Sequence, residues 1–164
     1  MKRKIIVAVI AAAVFAVMVL VMNITPNVEV GSVVLTCGGD KYELPGTQTQ
    51  RYYRGKSDKL GKEPELETLL KEAPSFDVEA ALDKDGKLVL KTPMTVSVSG
   101  KITGDILYTV YDYEGNVLSK AQKKLSLPDD NMNGCIVRAA VKWGKDGNYL
   151  EEVYYFAAMY DIKR

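Results

Sequence analysis

The sequence predicts an all-β fold: an antiparallel β-sandwich of seven to nine strands with one short helix, preceded by an N-terminal transmembrane helix. Three observations carry this. From Ser75 onward, short runs of alternating apolar and polar residues are separated by Asp-Gly and Glu-Gly turns, the spacing of a sandwich. One stretch outside the N-terminus, around Leu66, Leu69 and Leu70, has clear helical spacing. Eighteen apolar residues run unbroken from Ile5 to Met22, directly behind Lys2-Arg3-Lys4.

That apolar run is long enough to cross a bilayer as one helix, and the cations ahead of it favour an N-terminus in the cytoplasm. The C-terminal part is then extracytoplasmic, at the cell membrane. A cleaved signal is the alternative. Its small residues, Ala11, Ala12, Ala13 and Ala16, sit inside the run, and Asn23-Ile24-Thr25-Pro26 offers no small-x-small site. The expected division is a cytoplasmic basic cap over residues 1–4, an anchor over 5–22, a spacer over 23–27 and one extracytoplasmic domain over 28–164.

The elements follow in order. Val28 to Cys37 is valine-rich and reads as a strand, broken by Gly38-Gly39-Asp40. Lys41 to Leu44 reads as a short strand before Pro45-Gly46. Thr47 to Lys62 lacks a clear period and reads as a short strand around Arg51 to Arg54 followed by a loop. Pro64 to Glu72 is the helix: Pro64 suits its first turn, Glu65 and Glu67 suit its N-terminal dipole, and Pro74 stops it. It is expected to cover an edge or the open end of the core.

Beyond it, Phe76, Val78 and Ala80 alternate with acids, and Lys84-Asp85-Gly86-Lys87 is a hairpin turn answered by Leu88-Val89-Leu90. Met94, Val96 and Val98 alternate with hydroxyl residues. Ile106 to Asp112 and Val117 to Leu127 flank Tyr113-Glu114-Gly115-Asn116. Cys135 to Trp143 and Tyr149 to Ile162 flank Lys145-Asp146-Gly147-Asn148. Parity puts Cys135, Val137, Ala139, Val141 and Trp143 on one face, which should be the core face. Tyr149 to Ile162 is apolar on both parities. Such a strand is either central and covered twice or carries an exposed patch. The second option makes Tyr149, Val153, Tyr155 and Met159 candidates for an aromatic binding surface.

The hairpins, together with Val141-Lys142-Trp143, Gly147-Asn148-Tyr149 and Tyr154-Tyr155-Phe156, carry a resemblance. Roughly Ser75 to Ile162 resembles bacterial extracytoplasmic immunoglobulin-like modules, which implies a sandwich architecture for that half. In antibody-type domains the tryptophan lies between two cysteines; here Trp143 follows both Cys37 and Cys135. The whole chain looks like the small membrane-anchored proteins of Gram-positive bacteria.

Composition narrows the chemistry. Without histidine, Ser-His and Cys-His catalysis and histidine-based zinc sites are excluded. Removing the three N-terminal cations from the 22 basic residues leaves 19 against 21 acids, interspersed, so no basic stripe marks a nucleic-acid surface. Glu151 and Glu152 are adjacent on a strand and point to opposite faces, which argues against the paired carboxylates of an envelope hydrolase. Asp129 to Gly134 matches the start of a calcium loop but lacks its closing glutamate, so no metal and no cofactor is expected. Cys37 and Cys135 permit one disulfide in an exported chain; the alternative is two buried thiols. The functional expectation is a non-enzymatic, membrane-anchored binding module whose partner is a protein or a cell-envelope polymer. The alternative is an accessory subunit that pairs through the alanine flank of its anchor.

Overall fold

The computed structural model describes residues 26–129 and 133–163. The expected basic cap, the expected anchor and most of the expected spacer lie outside these residues, as does the centre of the Asp129 to Gly134 loop. Among the described residues no helix is long and apolar enough to cross a membrane.

The described chain is mostly strand. Its elements are β1 (Ser32–Cys37), β2 (Asp40–Glu43), β3 (Gly46–Tyr53), β4 (Lys56–Lys59), α1 (Leu66–Glu72), β5 (Ser75–Leu82), β6 (Leu88–Leu90), β7 (Met94–Ser99), β8 (Leu107–Tyr111), β9 (Val117–Gln122), β10 (Cys135–Lys145) and β11 (Asn148–Lys163). The strands form two sheets. The small one has the order β2-β1-β7. The large one has the order β4-β3-β11-β10-β8-β9, with β5 on β11 and β6 on β5.

Two differences from the expected fold concern strands. The described residues hold eleven strands rather than seven to nine, because Gly46–Tyr53 and Lys56–Lys59 form a hairpin where a mostly irregular segment was expected. Arg54-Gly55 makes the turn, with Arg54 at φ 49° and Gly55 at φ 78°. Pairing is also not purely antiparallel. β11 is long enough to serve two neighbours along one edge: its first half pairs antiparallel with β3, and its second half pairs parallel with β5.

Turn chemistry agrees with the sequence. Asp83 Oδ1 accepts from the amides of Asp85 (2.9 Å) and Lys87 (2.8 Å). Asp112 Oδ1 does the same for Glu114 (3.0 Å) and Asn116 (2.7 Å). In each case a side chain stands in for backbone turn bonds, and a glycine three residues on takes the left-handed conformation.

The main core lies between the sheets. Val33 and Leu35 from β1 meet Val78, Val110, Val137, Val141, Trp143 and Phe156. The parity expectation for β10 holds: Cys135, Val137, Ala139, Val141 and Trp143 all belong to this cluster. The edge strands β2 and β4 are exposed throughout and rich in charge, which discourages edge-to-edge association there.

The other face of β11 is also buried. Val153 is fully inaccessible and Tyr155 is 8 % exposed. Together with Ile136 and Ala140 they pack under Leu66, Leu69 and Ala73 of α1 and its C-terminal flank. The helix therefore lies across a sheet face, not at an edge or open end. At Gly115 a side chain would start 2.6 Å from Leu66, so the β8–β9 turn closes directly over the first helical turn.

Burial on the second face makes Val153 a core residue. Val153→Ala should lower stability by about 2 kcal/mol or more in urea unfolding, whereas Met159→Ala on the exposed end of the same strand should cost under about 0.5 kcal/mol.

Candidate binding trough

The outer face of the large sheet is divided in two. Its half nearer the β8–β9 turn is apolar and lies under α1. The half nearer the β10–β11 turn is polar and open. Arg138 of β10 stands between Ile136 and Ala140 of the covered half. Its guanidinium grips Glu63 in a fork, Nε to Oε2 at 2.8 Å and Nη2 to Oε1 at 2.6 Å. The Tyr155 hydroxyl donates to the same carboxylate. Glu63 belongs to the segment leading into α1, so this cluster fixes where the helix begins and how much of the face it covers.

Electrostatics of the cluster are cooperative. The hydrogen bond from Arg138 holds the Glu63 carboxyl below its ordinary value, with Tyr155 adding to the effect against the cost of burial. Burial opposes the charge on Arg138, but Glu63 more than offsets it and the guanidinium stays protonated. Burial and the Glu63 carboxylate both push the Tyr155 phenol up.

Two clefts flank this cluster. One, of about 540 Å³, lies over β8–β11 and is lined by Thr109, Lys120, Lys142, Asp146, Tyr149 and Glu151, among others. The second, of about 510 Å³, lies over β3 and β4 and includes Gln50, Ser57, Lys59 and Glu151. Glu151 lines both, so it stands between two clefts that lie side by side across the strands as a divided trough. Thr49 keeps Glu151 in place: its hydroxyl lies 3.3 Å from the Glu151 carbonyl and 3.2 Å from its carboxylate. A bulge between Glu151 and Glu152 accommodates the extra β3 residue.

An aromatic row borders the trough. Tyr52 and Tyr149 stack across β3 and β11 at 5.0 Å between centroids and 14° between planes. Lys142 Nζ sits 4.9 Å from the Tyr149 ring centre, a cation–π contact. At the opposite rim Ala121 holds a left-handed backbone, φ 52°, a strain of about 1–2 kcal/mol for a residue with a Cβ.

The four residues expected to form an aromatic surface do not come together. Tyr149 lines the trough, Val153 and Tyr155 are buried beneath α1, and Met159 is exposed farther along β11 beside β5. The reason is the helix, whose leucines cover the apolar stretch. The residues that sequence reasoning missed are Glu151, Lys142 and Tyr52. They become neighbours through strand register, Lys142 opposite Glu151 and Tyr149 opposite Tyr52, and no local motif announces that.

Glu152 does point away from Glu151, as parity requires. It is buried at the rim of the main core, where Trp143 Nε1 donates to its Oε2 at 2.9 Å and the Tyr154 hydroxyl donates to the same oxygen. Burial first, then the Glu152 carboxylate, pushes the Tyr154 phenol up. Among the described residues no group of three or more His, Cys, Asp or Glu could hold a metal ion.

Cys37 and Cys135 are free thiols, both buried. Burial, reinforced by Asp40 and Asp77, raises Cys37 above its ordinary value. Burial pushes Cys135 up to about 11. Comparison with protein-family models, with curated proteins and with solved structures yields no match.

Two outcomes follow from this chemistry. Because the folded carboxyl of Glu63 titrates below 4.5, its stabilising contribution is complete above that value and is lost as pH falls through the lowered one. Urea midpoints measured against pH should therefore fall less steeply on the acid side for Glu63→Gln than for the natural chain. Thiol titration at pH 8 should find no rapidly reactive cysteine in the folded protein and two after unfolding without reductant.

Proposed function

We propose that this chain is a non-enzymatic, membrane-anchored module that binds an extended, hydroxyl-rich cell-envelope polymer along the trough. The observation that carries the proposal is Glu151 standing between two open clefts, with stacked tyrosines beside it. An open trough that crosses strands suits a chain-like ligand better than a compact one. Lys120, Lys142 and Lys59 donate; Asp146 and Glu151 accept; Tyr52 and Tyr149 offer ring faces and edges. This mixture of donors, acceptors and aromatic surface matches sugar rings, whose polar edges and apolar faces need both.

The reading as an anchored extracytoplasmic protein draws on the apolar run Ile5 to Met22 and the cations before it. The reading as an immunoglobulin-like module draws on two sheets closing over one core and on the hairpin turns; the parallel β5–β11 pair departs from it. A role as accessory subunit draws on the alanines at 11, 12, 13 and 16 and would be lost on exchanging the anchor for an unrelated one.

Co-sedimentation of the full chain in detergent with peptidoglycan sacculi tests the polymer reading. Binding should be saturable, and Tyr149→Ala or Glu151→Ala should each weaken it about tenfold, while Val117→Ser on the far edge of β9 leaves it unchanged. Absence of binding, or equal binding by all variants, would overturn the proposal.

A further inference from the structure

The chain enters the domain at one end, and that end has a distinctive surface. Pro26 is the first described residue, and its carbonyl accepts from the Arg51 guanidinium. The same guanidinium nitrogen donates to Asn148 Oδ1 at 2.8 Å. Val28 then packs against the main core and against Gly144. At Gly31 a side chain would collide with the Ser99 carbonyl at 1.6 Å, so the approach to β1 is tightly seated. The entry point is therefore fixed beside two turns, Arg54-Gly55 and Asp146-Gly147. These turns are joined to each other by Arg54 N–H donating to the Gly147 carbonyl at 3.1 Å.

Chain length limits how far this end can stand from a bilayer. Met22, the last residue of the apolar run, is four residues before Pro26. Even fully extended, four residues span about 14 Å. The headgroup layer takes up roughly 5–8 Å of that. Pro26 therefore stays close above the headgroup layer, and the two turns beside it are within reach of the headgroups when the domain tilts toward them.

Their chemistry fits that zone. Arg54, Lys56, Lys101 and Lys145 are exposed at this end, against the carboxylates Glu29, Asp58 and Asp146. Tyr53 lies half-buried under the Arg54 guanidinium, 5.1 Å from its ring centre. Tyrosine with flanking cations is the combination found at membrane–water boundaries. The opposite end bears the turn Asp83 to Lys87, where acids and lysines alternate.

We infer that the end of the domain formed by the β3–β4 and β10–β11 turns rests on the membrane surface and binds anionic lipid headgroups. This rests on the reading of residues 5–22 as an anchor and adds a second contact to it. The contact sets the orientation of the domain: strands run away from the bilayer, with the Asp85-Gly86 turn farthest out.

The test uses the full chain reconstituted into vesicles, with a fluorophore on Asp146→Cys or, as a control, on Asp85→Cys. The two native thiols are buried and leave the new one selectively labelled. Quenching by a headgroup-attached nitroxide reports proximity to the surface. Position 146 should be quenched in phosphatidylglycerol vesicles and much less in phosphatidylcholine, and position 85 in neither. The paired change Arg54→Glu and Lys145→Glu should weaken the phosphatidylglycerol effect by roughly fivefold or more per charge reversed, and high salt should do the same. Equal quenching at both positions, or equal quenching in both lipids, would overturn the inference while leaving the anchor intact. Release of the chain from vesicles by alkaline carbonate would remove the anchor reading and this inference with it.

Discussion

A strand that is apolar on both faces must be covered twice, and β11 imposes that condition on the whole domain. It pairs with β10, β3 and β5 and occupies the middle of the large sheet. Its even-numbered side, from Leu150 through Phe156 to Tyr160, needs the small sheet above it. Its odd-numbered side, at Val153 and Tyr155, needs a second cover, which α1 supplies. Burial of large apolar side chains is worth about 1.5–3 kcal/mol each, so leaving either face open would forfeit a sizeable share of a marginal total. The two-sheet core and the helix across its back are two solutions to one requirement.

The second cover is small, and its shortness creates the trough. α1 has seven residues, no side-chain cap and no fully buried residue of its own. A helix of that length is not stable alone, because nucleation costs more than two turns return. It is held from outside, by leucines against the sheet and by Glu63 locked to Arg138 and Tyr155. Two turns cover the apolar stretch and no more. Where the cover ends, the face of β11 changes from Val153 to Glu151 and Tyr149, and that of β10 from Ala140 to Lys142. Coverage and composition change at the same place, so the open half of the face loses little by being wet.

Strands, turns and face assignments were legible because they depend on local spacing. The alternation in β10 predicted its core face residue by residue, and the Asp-Gly turns marked their hairpins. The Arg54-Gly55 hairpin was not legible, because β4 is Lys-Ser-Asp-Lys, wholly polar, and carries no period to read. The two-sided pattern of β11 was visible, yet the choice between a second cover and an exposed patch depends on where a short helix lands, which is a matter of long-range packing. The trough was hidden for the same reason. Glu151 gains its position from the β3 bulge and from Thr49, 102 residues earlier in the chain. The parallel pairing of β5 with β11 is equally non-local.

The two proposed surfaces are linked by geometry. The trough crosses β9, β8, β10, β11, β3 and β4 in turn, so its axis lies across the strands. If the turns at 54–55 and 146–147 rest on the bilayer, the strands rise from it and the trough runs parallel to its plane. Asp146 belongs to the membrane-side turn and also lines the trough, so the bound segment would lie just above the headgroups. An anchor alone would leave the domain free to rotate about a short spacer. A second contact at the entry end removes that freedom and reduces the orientational entropy that binding must overcome.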